Sequence, residues 1–175
     1  MSGSAPIPLI AVDIDIDEDE YDQLRGWPYA DKDAYIRVLL ETDIPRRVIA
    51  GECCVWIYKD PEDRVAGFGT IDVCLDYARH TDGERHTYLP LLAVNPALLG
   101  RGFGRTILEH LIGDAARIVR EGNHFPALFL DVYVWNEKAI RLYERNGFGY
   151  VDDEPIPDPD RPGDHYVVMA RRVTD

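Results

Sequence analysis

The chain has 175 residues, 46% hydrophobic and 29% charged, a balance that suits one compact domain over residues 1–175 with a full core. No apolar run approaches the roughly 20 residues of a membrane helix, and the opening residues lack the basic start and apolar stretch of a secretory signal, so a cytoplasmic location and no membrane partner are expected. The formal charge of −13 is concentrated in residues 1–25, with seven acids against Arg25, and residues 151–165, with six against Arg161; such a surface repels nucleic acid and attracts a cationic partner.

After a tail over residues 1–7, expected to be flexible, Ile10, Val12, Ile14 and Ile16 alternate with Asp13, Asp15 and Asp17, the period-two pattern of a half-buried strand from Leu9 to Asp17. Acids at residues 18–20 favour a helix N-terminus, and a short helix to about Arg25 is expected. Residues 26–31 break it. Asp31 or Asp33 then caps a second helix that turns Tyr35, Ile36, Leu39 and Leu40 inward.

Cys53–Tyr58 and Val65–Tyr77 read as two strands of a hairpin around a turn containing Pro61. A loop over residues 78–85 leads into a strand over Thr87–Val94, which Asn95 and Pro96 end. From Arg105, the residues Ile107, Leu108, Leu111, Ile112, Ala115, Ile118 and Val119 recur at helical spacing, and Gly122 is expected to stop that helix. The nearly continuous apolar run Ala127–Val134 suits a buried strand. A helix from Glu137 to about Arg145 follows, and Phe148–Val151 with His165–Arg171 make a last strand pair around a proline-rich acidic loop.

Cys53, Cys54 and Cys74 have no metal-ligand spacing, and the five histidines include no His-x-x-x-His pair on an expected helix. No metal site is expected.

Two segments carry chemistry. The run Leu99, Gly100, Arg101, Gly102, Phe103, Gly104, Arg105 lies between a strand and a helix. Its glycines let backbone N–H groups approach a ligand, the helix start favours an anion, and the arginines add positive charge. A pyrophosphate fits such a loop; so does plain helix-to-strand packing. The G-x-G-x-G spacing is not the Rossmann fingerprint, and the Walker pattern is absent. In the second segment Asn136 stands where a strand ends and a helix begins, an N-cap position. Tyr143 shares a helix face with Ala139 and Ile140, which fits core packing as well as chemistry.

Read together, Leu92-Ala93-Val94, the glycine run, and Asn136 through Ala139, Leu142, Tyr143, Gly147 and Phe148 resemble the GCN5-related N-acetyltransferase (GNAT) family. The resemblance implies an α/β (α+β) fold with a mixed, twisted central sheet of about seven strands and helices on both faces, in the order β-α-α-β-β-β-α-β-α-β-β. It implies acetyl-CoA as cofactor and transfer of the acetyl group to a primary amine of a cationic small molecule, protein or peptide. Backbone groups of Leu92 and Val94, flanking Ala93, would pair with the pantetheine arm, and residues 99–105 would hold the pyrophosphate. The family usually has Gln or Arg where Leu99 stands, so Arg101 or Arg105 would supply the missing side-chain contact. Asn136 and Ala139 would touch the cofactor arm. Tyr143 would face the thioester sulfur as general acid, and the Val94 amide would stabilise the thioester oxygen.

The proton route from the amine has several candidates. Some relatives use a Glu on the strand before the glycine loop; Tyr88 holds the comparable place here, with His86 two residues earlier on the same face and an ordinary histidine pKa of about 6.5. Asp72, Asp76 and ordered water are the others. On the acceptor side the resemblance points to Trp27, Tyr29, Asp72 and the segment Asp158 to Asp160. Two other functions share the same motifs, a CoA-binding module without turnover and a transferase of a longer acyl group. Exposed edges of such a sheet would support a homodimer.

Overall fold

A computed structural model describes residues 10–13, 27 and 53–173. The expected helices before residue 53, and Tyr29, lie outside the described residues. Among the described residues there are eight strands: β1 (Ile10–Asp13), β2 (Cys53–Lys59), β3 (Val65–Cys74), β4 (His86–Val94), β5 (Phe125–Tyr133), β6 (Gly149–Tyr150), β7 (Ile156–Pro157) and β8 (His165–Arg172). Two α-helices interleave with them, α1 (Phe103–Gly122) and α2 (Glu137–Arg145). The strand order is β1-β2-β3-β4-β5-β8-β6, with β7 paired to β8 off that path. Because β4 and β5 run parallel while β5 and β8 run antiparallel, the sheet is mixed, as the sequence implies. No described helix is long and apolar enough to cross a membrane.

The chain divides into two compact units, residues 1–70 with 91–108 and residues 71–90 with 109–175. In the first, β1 pairs antiparallel with β2, Val12 opposite Ile57. The turn after β2 is organised by Asp60 rather than by Pro61 alone. Its carboxylate is buried and accepts from the Glu62 and Arg64 amides at 3.0 Å and from Arg64 Nε at 2.9 Å. Burial opposes its charge, yet these hydrogen bonds prevail and hold the carboxyl below its usual range.

The end of β4 is fixed against β3 by backbone approach. The Asn95 amide donates to Ala66 O at 2.8 Å, and Asn95 Nδ2 donates to Val65 O at 3.0 Å. Between them Gly67 leaves no room for a side chain: a Cβ there would stand 2.6 Å from Ala93 O and 2.4 Å from Ile107 Cδ1.

In the second unit β5 and β8 form the longest ladder, from Ala127↔Arg172 to Tyr133↔Tyr166. Alternation puts Leu128 and Leu130, opposite Arg171 and Met169, on one face, and Phe129 and Asp131 on the other. Leu128, Leu130 and Met169 are fully buried, each burial worth roughly 1.5–3 kcal/mol.

Several boundaries move from their expected places. β3 ends at Cys74 rather than Tyr77, because the chain turns there: Ala78 donates to Leu75 O at 3.0 Å and a short 3-10 turn follows over Ala78–His80. α1 runs through Gly122 and stops at Asn123, which takes the left-handed conformation (φ 51°), while the His124 amide reaches back to Val119 O at 3.0 Å. The acidic loop holds a strand of its own, β7, too short to show a period. α2 has the expected limits.

Gly67→Ala forces the backbone of β3 or β4 to shift. We expect a loss of about 1–3 kcal/mol in unfolding free energy, measured by urea denaturation.

Candidate functional site

The glycine run belongs to the first unit. Asn95 Oδ1 accepts from the Ala97 amide at 3.0 Å and starts a 3-10 turn over Pro96–Leu98. Leu98 is buried with Ala66 and Phe103, and Val94 packs against them, so the loop hangs from an apolar anchor on each side. Between the anchors Leu99 is 65% exposed, and Gly100 (φ 77°) and Gly102 (φ 92°) adopt conformations that other residues rarely hold. Gly102 O accepts from the Arg105 and Thr106 amides at 3.1 and 3.2 Å, which winds the first turn of α1. An α-helix leaves its first N–H groups without intrahelical acceptors, and this first turn has no acidic side chain to answer them. Arg101 and Arg105 are exposed, with the Arg101 guanidinium 5.7 Å from the Phe103 ring centre. The arrangement favours an anion. Of the strand residues before it, Ala93 is buried and Leu92 is half-buried.

The second segment and its surroundings belong to the other unit. Asn136 caps α2, its Oδ1 accepting from the Ala139 amide at 3.3 Å. Tyr143 is buried at 9% exposure, its ring centre 5.7 Å from that of Phe148. Burial, and secondarily the nearby charge of Asp131, pushes its hydroxyl up to about 12. Tyr143 therefore keeps its proton at neutral pH and can donate it.

Asp131 joins the candidate residues only in the folded structure. β4 and β5 are paired through His86↔Phe125, Thr87↔Leu128 and Tyr88↔Phe129. Two residues past Tyr88 stands Pro90, which has no N–H to donate. Asp131 lies on β5 just beyond this last pair, exposed at its edge yet partly desolvated by aromatic residues, and accepts a hydrogen bond from the Tyr88 hydroxyl. Desolvation raises its pKa above the ordinary carboxylate value, and the Tyr88 bond opposes that rise. A lone acid inside the apolar run 127–134 was the available signal.

Around this pair Tyr77 stacks on Phe129 at 5.4 Å and approaches Tyr88 at 5.6 Å. Desolvation and then Asp131 raise the Tyr77 hydroxyl, and a hydrogen bond with Tyr88 offsets part of the effect. Further along the acidic loop, Asp158 accepts from the Tyr133 hydroxyl at 2.6 Å, and this bond chiefly holds its carboxyl below the usual range. Arg161 lies 5.5 Å over the Tyr133 ring.

The structure places His86 in the core, not on an open strand face. It is fully buried between Phe129 (4.8 Å) and Tyr77 (5.9 Å). Nε2 faces the Tyr77 amide at 3.4 Å and Cys74 Sγ at 3.5 Å, and Nδ1 faces Glu84 O at 3.4 Å. Since the Tyr77 amide can only donate, Nε2 is the acceptor and the proton sits on Nδ1. An amine has no path to either nitrogen through these contacts. Asp72 is likewise buried, and Trp27 is buried with its ring 6.4 Å from that of Phe68. His86 and Tyr88 do share a face, as their spacing implies, since both meet the Tyr77 ring.

The order of the described elements, the mixed sheet, the glycine run before α1 and the capped helix α2 agree with the fold that the sequence resemblance implies. The sequence model described as "Acetyltransferase (GNAT) family" matches residues 15–148, and the chain belongs to that family. It is similar to the [ribosomal protein bS18]-alanine N-acetyltransferase of Salmonella typhimurium, 38% identical over 87 residues, which are 50% of this chain and 49% of that protein. The chain thus matches about half the length of this curated relative. Among solved structures it resembles a GNAT-family acetyltransferase of Desulfovibrio desulfuricans (TM-score 0.68, 18% identity, 95% of this chain and 100% of that one). It also resembles a spermidine N-acetyltransferase chimera of Vibrio cholerae SpeG and hSSAT (TM-score 0.66, 15% identity, 93% and 94% covered).

Burial lowers the His86 pKa, so the folded protein binds this proton less readily than the unfolded chain. The native state is then favoured above the ordinary histidine pKa of about 6.5, and that stabilisation is lost as pH falls below it. We expect the His86 ring signals to titrate below those of an exposed histidine in a two-dimensional NMR series.

Proposed function

We propose that the chain, acting as a single acetyltransferase domain, transfers an acetyl group from acetyl-CoA to a primary amine in a ternary complex. The observation that carries this reading is Tyr143, a buried phenol behind the Asn136 cap that keeps its proton beside Asp131. The neutral amine nitrogen attacks the thioester carbonyl carbon; a C–N bond forms and the C–S bond breaks. Tyr143 gives its proton to the departing thiolate sulfur, and Asp131 takes the proton that the amine sheds. A raised carboxylate pKa suits that second task, because a base works best when its pKa approaches the working pH.

In this reading the backbone N–H groups of residues 100–105, with Arg101 and Arg105, hold the pyrophosphate of the cofactor. The left-handed glycines and the absence of an acid in the first turn of α1 support that role. Backbone groups of Leu92 and Val94 would pair with the pantetheine arm, and the Val94 amide would stabilise the thioester oxygen. Asn136 and Ala139 would touch the cofactor arm.

The acceptor we infer is a cationic amine. The acidic segment 151–165 would raise its local concentration. The names of two relatives, one acting on a ribosomal-protein alanine and one on spermidine, agree with an amine acceptor. We infer action in the cytoplasm, where Cys53, Cys54 and Cys74, which form no disulfide here, stay reduced.

Tyr143→Phe keeps the ring and removes the proton. Turnover should fall about 10²- to 10⁴-fold, in line with a lost general acid, while acetyl-CoA binding measured by calorimetry stays essentially unchanged. Wild-type turnover in this variant would overturn the assignment.

A further inference from the structure

Resting on the reading of Asp131 as proton acceptor, we propose that Tyr88 is the positioning residue of the reaction. Its hydroxyl, donated to Asp131 Oδ1, fixes the carboxylate, and Tyr77 braces the Tyr88 ring. Tyr88 lies on β4 at its last residue paired with β5, so the partner strand sets its place directly opposite Phe129. Asp131 follows Phe129 by two residues on the same face of β5, about 7 Å along the strand. The tyrosine side chain bridges that offset and ends in the hydrogen bond to Oδ1. Tyr77 fills the remaining side, stacked on Phe129 and tilted at 59° to Tyr88, so the Tyr88 ring has packed neighbours.

A carboxylate on an unbraced side chain samples several rotamers, and a proton acceptor must lie within hydrogen-bond reach of the proton it takes. Tyr88 restricts that sampling. It also sets the pH at which the carboxylate becomes available. Partial desolvation by the surrounding rings favours the protonated acid, as do the negative charges of Asp158 in the acidic loop and Asp76 in the turn after β3; the Tyr88 hydrogen bond favours the carboxylate. The hydroxyls of Tyr143 on α2, Tyr77 after β3 and Tyr166 on β8 feel the Asp131 charge in turn. Each has its pKa raised and stays neutral near pH 7, so none competes as a titrating group. Loss of the Tyr88 hydroxyl therefore moves Asp131 in one direction, upward.

The test is the pH profile of kcat/KM for acetyl-CoA-dependent thiol release with an excess of a reactive amine, in wild type, Tyr88→Phe, Tyr77→Phe and Asp131→Asn. In Tyr88→Phe the acid-side midpoint should rise by about one pH unit, with kcat lowered. Tyr77→Phe, which leaves Tyr88 in place, should shift it the same way by less, and it provides the readout if Tyr88→Phe fails to fold. Asp131→Asn should abolish most turnover. An unshifted acid limb in both tyrosine variants, with Asp131→Asn inactive, overturns the positioning role alone. Full activity in Asp131→Asn overturns the assignment of the proton acceptor on which it rests.

Discussion

Two neighbouring parallel strands that stop pairing leave an edge inside a sheet, and the chemistry we propose is built beside such an edge. The β4–β5 ladder ends at Tyr88↔Phe129, two residues before Pro90, while β5 continues to Tyr133 on its β8 side. Proline cannot supply a ladder hydrogen bond, so it suits a strand at the place where pairing ends. Beyond the break, strand alternation delivers Asp131 to the face that also carries Phe129, and Tyr88 to a position from which it reaches Asp131.

Burial has opposite uses at the groups around that face. It keeps the proton on Tyr143, the donor we propose, while partial desolvation raises Asp131, the acceptor we propose. At His86 the ring has both nitrogens facing protein partners and packs on Phe129 and Tyr77 within the aromatic cluster. The cluster joins Ala127, Phe129 and Val168 to Tyr77, Tyr88 and Tyr166, so β5, β8 and the turn after β3 share one apolar patch under the polar groups.

Much of this was legible in the amino-acid order. α2 could be bounded from Asn136 and Gly147, because a side-chain cap and a left-handed glycine (φ 81°) leave local signatures. α1 was legible from its apolar stripe, but its end was not: both Gly122 and Asn123 tolerate a C-terminal cap, and only the fold shows that Asn123 takes it. β7 is two residues long and contains a proline, so no period could reveal it. The burial of His86 depends on Phe129, forty-three residues later, and such long-range packing has no local mark. Asp131 did leave one, a single acid in the run 127–134, whose meaning required knowing which strand lies beside it.

The proposed chemistry joins an activated thioester to an amine. Its most direct test is incubation of the wild-type protein with acetyl-CoA and a set of polyamines, aminoglycosides, amino acids and short peptides, with free thiol and acceptor mass followed together. The account predicts thiol release that requires one class of amine and equals the amount of acetylated amine formed. Tight acetyl-CoA binding with no thiol released for any amine would contradict it and leave a cofactor-binding module without turnover.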